Sequence, residues 1–242
     1  CRRQLTRDHS THTNREEARN LRDVQKRLLR RQREPYFYRR AMQRDPQLYF
    51  DYFSRLLAND GIRVTCDITP SYSSLDAETL NLIRSGFENR GIKTKAIFLM
   101  RDPVERFLSA IRMYRRSGKS QQGVDISLSD DEALKGYVGS SQALLRTDYA
   151  NALRSMDAIF PPEDIYVGIY ETMFSPTELA RLSEFVGIEV DYGVVEKHFN
   201  TTETQSEVSQ DAIEAAKSVF APVYEYCLNR YPEVKQYWIH SQ

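Results

Sequence analysis

Residues 95–100 (Lys-Ala-Ile-Phe-Leu-Met) form a nearly continuous apolar run bounded by charge, and Asp102-Pro103-Val104-Glu105 follows at once. A run of this kind reads as a strand buried in a parallel sheet. The four residues after it supply a helix cap, a proline whose φ is already helical, and an acid in the first turn. A chain that passes directly from strand to helix can return to its sheet only through a crossover. The expected class is therefore α/β, a parallel sheet flanked by helices with right-handed crossovers.

The remaining punctuation agrees with an alternating order. Asn14, Glu16 and Glu17 open an amphipathic helix over 14–33 with Leu21, Val24, Leu28 and Leu29 at helical spacing and mostly Arg elsewhere. Asp45-Pro46 starts a second helix, running to about Leu57 and stopped by Asn59-Asp60-Gly61, and a strand is expected at 62–67. Asp76 caps a helix to about Asn89, and Gly91 punctuates before the apolar run. The Ser-, Gly- and Gln-rich residues 117–130 read as a loop, followed by helical signals at 131–135 and 144–159. A strand is expected at 165–170, a helix from Ser175-Pro176 to Gly187, and a last helix from Ser209 to Asn229 that bends near Pro222. No internal repeat is present.

With 242 residues the chain can bury one substantial core, so a single domain over 1–242 is expected: a helical basic arm at 1–33 and an α/β core at 62–240. Charge cancels over the whole chain, yet residues 1–44 hold fourteen Lys/Arg against five Asp/Glu. That asymmetry suits either an anionic ligand or a solvated Arg-rich helix face. Cys1, Cys66 and Cys227 are widely spaced and form no CxxC pair, which argues for neither a disulfide framework nor a zinc site. No apolar run approaches the length that spans a bilayer, and the Arg-rich start lacks a signal-peptide core. As given, the chain is expected to be soluble, and cytoplasmic if bacterial; it lacks an initiating Met, so a segment removed upstream stays open.

In open parallel sheets ligands sit beyond the carboxyl ends of the strands, where helix N-termini present free N–H groups to anions. Arg101 occupies that place. Its guanidinium suits a phosphate through paired charge-assisted bonds, and the Ser109 hydroxyl, on the following helix, can complete the grip.

The neighbouring segments make this more specific: Ile68-Thr69-Pro70-Ser71-Tyr72 upstream, Arg101-Asp102-Pro103-Val104-Glu105-Arg106-Phe107-Leu108-Ser109 in the middle, and Ile165-Tyr166-Val167-Gly168-Ile169-Tyr170-Glu171 downstream. Together with Phe220-Ala221-Pro222-Val223-Tyr224-Glu225, Tyr231-Pro232 and Trp238, the set resembles the PAPS-dependent sulfotransferases (PAPS is 3′-phosphoadenosine-5′-phosphosulfate), in particular their bacterial and glycan-modifying branches, over roughly residues 33 to 240. The resemblance implies a P-loop nucleotide-kinase-like architecture and PAPS as sulfuryl donor, with 3′,5′-ADP as product and no metal. It places Arg101 and Ser109 on the 3′-phosphate. Arg33-Glu34-Pro35-Tyr36-Phe37-Tyr38 resembles the Lys-Glu-Pro-His-Phe-Phe element of the glycan-type enzymes, which makes Glu34 the catalytic base. Asp67, Ser71 and Tyr72 align with an element near the acceptor, although Ile68 stands where the family often has Lys. Tyr72 packs either on a sugar ring or into the core, the commoner fate. His198 reads first as a structural or surface histidine, and Arg146 and Tyr149 match a family pattern while being ordinary helix residues. The implied partner is a hydroxyl-bearing acceptor, a carbohydrate or small metabolite, with neither nucleic acid nor a membrane segment.

One family feature has no counterpart here: a first strand followed by a Lys-x-Gly-Thr-Thr-type loop that holds the 5′-phosphosulfate. None of the ten glycines stands in such a motif, and Cys1–His9 resembles the tail of the helix that follows it, as in a chain lacking its original start. The alternative is therefore a relative that keeps the nucleotide grip and transfers nothing. A P-loop kinase is disfavoured by the lack of a Walker Lys-Ser/Thr and of a Mg²⁺ carboxylate pair.

Overall fold

The computed structural model describes residues 45–118, 120, 124–189 and 208–241. The helix expected at 14–33, the rest of the basic arm, Glu34 and His198 lie outside the described residues. The chain divides into two compact units, Cys1–Thr65 and Cys66–Gln242.

In the first unit, α1 spans Pro46–Leu57 with Pro46 at its first position. Asp45 precedes it without a side-chain cap bond, and Phe50 and Phe53 are its buried residues. Its C-terminus is held by the Asn59 side chain, which donates to the Arg55 and Leu56 carbonyls at 2.9 and 3.0 Å. Residues 62–67 form no strand. Ile62 and Val64 alternate correctly but are both exposed, at 46% and 42%, and no described residue supplies a ladder partner. A period-2 apolar pattern makes a strand only when a neighbour takes up its backbone hydrogen bonds.

The second unit is mixed α/β, mostly helical, with a parallel pair of strands among the described residues. Its order is α2 (Ala77–Glu88), β1 (Ala96–Met100), α3 (Pro103–Ser117), α4 (Asp130–Val138), α5 (Ser141–Thr147), α6 (Tyr149–Ile159), β2 (Ile165–Ile169), α7 (Pro176–Val186), α8 (Gln210–Arg230) and α9 (Val234–Tyr237). Short 3-10 turns lie at Pro70–Ser74, Pro162–Asp164 and Tyr170–Thr172. β1 and β2 pair directly in register, from Ala96 opposite Ile165 to Met100 opposite Ile169. Phe98, Met100, Val167 and Ile169 share the face that meets the core, with Phe98 edge-on to Tyr149 at 5.5 Å. The opposite face is only partly covered. Tyr166 of β2 packs on Phe185 of α7, while Ile97 and Leu99 remain 48% and 41% exposed. The strand read as buried on both sides is thus buried on one, because α7 covers β2 rather than β1. Gly168 permits this packing, since a Cβ there would lie 2.8 Å from Leu99 Cδ2 and 2.9 Å from the Tyr166 ring.

The core is a helical stack. Val104, Phe107, Leu108, Ile111 and Tyr114 recur at helical spacing along α3 and meet Leu134, Tyr137 and Val138 of α4 and Ala216, Phe220, Tyr224 and Cys227 of α8. Phe107 sits at the junction, stacked on Phe220 at 4.8 Å and edge-on to Tyr137 at 4.9 Å. α3 ends at Gly118, whose φ of 65° suits a residue without a Cβ, and α7 ends likewise at Gly187 with φ 73°. α8 continues through Pro222, which faces solvent beside exposed Ser218, so the carbonyl left without its N–H partner is open to water. The helix expected over 144–159 is two helices, because Asp148 leaves the first and caps the second by accepting from the Asn151 N–H at 3.0 Å. Residues 124–129 are loop, as expected, with Val124 tucked in at 2% exposure, and no helix among the described residues is long and apolar enough to cross a membrane.

Candidate functional site

Because β1 and β2 run parallel and in register, the chain leaves both at the same end of the sheet. Arg101 and Tyr170 emerge side by side, with the Arg101 guanidinium 4.5 Å from the centre of the Tyr170 ring. The next residue, Asp102, is 1% exposed and organises everything around it. Its Oδ1 caps α3 by accepting from the Val104 and Glu105 N–H groups at 2.9 and 3.3 Å, and accepts from the Tyr224 hydroxyl at 2.7 Å. Its Oδ2 accepts from the His240 backbone N–H at 2.9 Å, tying the C-terminal residues to the strand end. Its own N–H donates to Glu171 Oε1 at 3.0 Å. A buried carboxylate needs such partners, and with its oxygens committed to the fold Asp102 is structural rather than a ligand. Burial, with the Asp102 charge beside it, pushes the Tyr224 phenol far up, and burial pushes Tyr149, which donates to the Arg101 carbonyl at 2.9 Å, up to about 12.

These backbone anchors aim the Arg101 side chain along the first turns of α3. There its guanidinium stands 3.6 Å from Glu105 Oε2; the side chain is 23% exposed, and its Nε is buried with no hydrogen-bond partner. Glu105 Oε1 lies 3.5 Å from His240 Nε2. The His240 ring holds the Glu105 carboxyl below its usual range, burial works against it, and Arg101 and Arg112 add to the lowering. The Nε atoms of Arg112 and Arg101 and the His240 Nε2 are all buried without a hydrogen bond. One guanidinium and one imidazole therefore face the same carboxylate, at 3.6 and 3.5 Å, and the charge of Arg112 acts on it as well. Nearby, burial raises the Glu171 carboxyl, opposed by the Asp102 N–H bond. Ser109 is one turn beyond Glu105 on the same stripe of α3, half-buried, and no described residue hydrogen-bonds its hydroxyl. Arg101 and Ser109 thus flank Glu105, and neither is sealed in the interior.

Asp67, Ser71 and Tyr72, which the resemblance places near an acceptor, form a second cluster. Asp67 accepts from the Thr69 hydroxyl at 2.7 Å and from the Tyr72 hydroxyl, so Tyr72 orients a carboxylate rather than filling the core. Ser71 is half-buried in the Pro70–Ser74 turn, where its carbonyl accepts from the Ser74 hydroxyl at 2.8 Å. Ile68 is 87% exposed. The turn packs on α5 and α6, and buried Thr147 at the end of α5 accepts from Arg106 of α3. This route joins the cluster to the helix that carries Ser109. Arg146 is half-buried, and Tyr149 is core.

Glu105 and His240 escaped the sequence reading. Glu105 looked like an ordinary first-turn acid, and nothing local marks His240. The only hint was the helical spacing of Arg101, Glu105 and Ser109. His240 also borders a cleft of about 520 Å³ that runs along α8, lined by Lys217, Tyr224, Leu228 and Asn229. Compared with the models of known protein families and with curated protein sequences, the chain matches none.

Proposed function

We propose that this chain is a PAPS-dependent sulfotransferase on a P-loop nucleotide-kinase-like scaffold, moving a sulfuryl group to a hydroxyl of a carbohydrate or small metabolite. The observation that carries this reading is the setting of Arg101: the carboxyl end of a parallel strand, beside a helix N-terminus, with an Nε that makes no hydrogen bond and with Glu105 as a neighbouring carboxylate that also faces His240.

In this reading Arg101 and Ser109 hold the 3′-phosphate, and unbonded guanidinium and hydroxyl donors suit its oxygens. PAPS, when bound, supplies the sulfuryl group and leaves as 3′,5′-ADP. Glu34 accepts the proton of the acceptor hydroxyl as that oxygen forms its bond to sulfur. Asp67, its orientation set by Thr69 and Tyr72, accepts a hydrogen bond from the acceptor, and Ser71 and Tyr72 border the same space. The reaction is in line and needs no metal, with positive charge stabilising the phosphate as it departs.

Incubation with PAPS and a panel of hydroxyl acceptors tests the proposal: 3′,5′-ADP release is expected, and Glu34→Ala and Arg101→Ala should each abolish it. A second reading, a relative that grips the nucleotide and transfers nothing, draws on the glycines of the sequence, none of which stands in a 5′-phosphosulfate loop. Binding of 3′,5′-ADP without release would select it.

A further inference from the structure

Glu105 is the carboxylate that faces the Arg101 guanidinium, so a phosphate or sulfate drawn to Arg101 competes with it. Its two oxygens face different partners: Oε2 is 3.6 Å from Arg101 and Oε1 is 3.5 Å from His240 Nε2. Both distances exceed a well-formed charge-assisted hydrogen bond, so a small side-chain rotation commits the carboxylate to one partner and releases the other. We propose that His240 is a positioning residue for the anion grip: by drawing Glu105 to itself it frees the Arg101 guanidinium.

The proposal rests on the reading of Arg101 as an anion ligand. The imidazole is well placed for the task, because the tail carrying it is fixed by a backbone bond, His240 N–H to Asp102 Oδ2 at 2.9 Å, which leaves the ring to act on Glu105. The ring is 13% exposed, with Nε2 buried. The charged and titratable groups around the pair are Arg101, Asp102 and Arg112 from β1 and α3, Tyr170 and Glu171 after β2, and Tyr224 from α8. Glu214, Lys217 and Glu225 line the cleft on its other side. Of these residue types histidine alone ordinarily changes charge between pH 5.5 and 8, and Glu171, whose carboxyl burial raises, is controlled for by repeating the titration in Glu171→Gln. Protonated His240 attracts Glu105 strongly and neutral His240 does so weakly. Anion affinity at Arg101 therefore rises as pH falls across that range.

The test uses two probes on the full chain, inorganic sulfate, which is doubly charged throughout, and 3′,5′-ADP, each titrated at pH 5.5 and 8. Sulfate affinity is expected to be about fivefold higher at pH 5.5, the equilibrium equivalent of one half-buried ion pair. His240→Gln, which keeps the backbone bond, should hold affinity at the high-pH level, while Glu105→Gln should hold it at or above the low-pH level. Arg101→Ala should remove the binding. Comparing each variant with wild type at the same pH cancels the titration of the nucleotide's own phosphates. A wild-type pH profile parallel to that of Glu105→Gln overturns the inference, as does an unchanged profile in His240→Gln. Sulfate binding with these profiles but no 3′,5′-ADP binding upholds the inference and overturns the nucleotide reading. Binding of neither probe overturns both.

Discussion

Asp102→Ala is expected to be among the most damaging single substitutions in the second unit. The carboxylate is 1% exposed and accepts from the Val104 and Glu105 N–H groups, the Tyr224 hydroxyl and the His240 N–H. Losing the helix cap costs about 1 kcal/mol. Stranding the buried Tyr224 hydroxyl adds about 1 to 3 kcal/mol, and releasing the charge-assisted tether to His240 adds about 1 kcal/mol. The sum is about 3 to 5 kcal/mol. Urea denaturation of wild type, Asp102→Ala, Tyr224→Phe and the double variant measures it. Tyr224→Phe alone should cost about 1 kcal/mol, since it removes the donor without stranding one. The double variant should then be less damaging than the sum of the singles, because the orphaned hydroxyl is gone. An Asp102→Ala loss below about 1 kcal/mol at unchanged m-value, or strict additivity in the cycle, would refute the hub reasoning.

Three further outcomes follow from the same geometry. Burial raises the Tyr149 phenol to about 12 against an ordinary 10, so its contribution is complete below pH 10 and is lost as pH rises from 10 to 12; that loss is on the order of 3 kcal/mol, and because Tyr166, Tyr224 and Cys227 are raised too, Tyr149→Phe should make this part of a stability-against-pH curve shallower by one group's share. Glu105 has a lowered folded value, so its stabilisation is present above pH 4.5 and fades as pH falls through that lowered value; acid denaturation of Glu105→Gln should show a shallower acid limb. Glu171→Gln keeps an acceptor for the Asp102 N–H while removing a charge that burial disfavours, so it should cost less than about 1 kcal/mol by urea titration, whereas Glu171→Ala strands that N–H and should cost about 1 to 3 kcal/mol.

What sequence reasoning reads well here is local. The cap, proline and acid after the apolar run specify α3, Asp76 caps α2 by accepting from the Thr79 N–H, and Gly187 closes α7, all from side chains acting within one turn. What it misreads depends on distant neighbours. Residues 62–67 carry a strand pattern but find no described ladder partner, Ile97 and Leu99 keep an open face because α7 lies over β2, and Asp148 splits a helix by capping its second half. The site divides the same way. The turn from strand to helix that carries Arg101 is a local signal, and Ser109 stands on the helix it opens, named from that position and from the resemblance; their role as anion ligands is the proposal. The pairing of Glu105 with His240 joins an early helix to the last few residues of the chain, and no period in the sequence connects them.

The most direct measurement is calorimetric titration of 3′,5′-ADP into wild type, Arg101→Ala and Ser109→Ala at fixed pH and low salt. One-to-one binding that Arg101→Ala abolishes and Ser109→Ala weakens is the expected result, with all three proteins unfolding at similar urea concentrations. An Arg101→Ala protein that is folded and binds the nucleotide as wild type does, or a wild type that does not bind it, would contradict the account at its base.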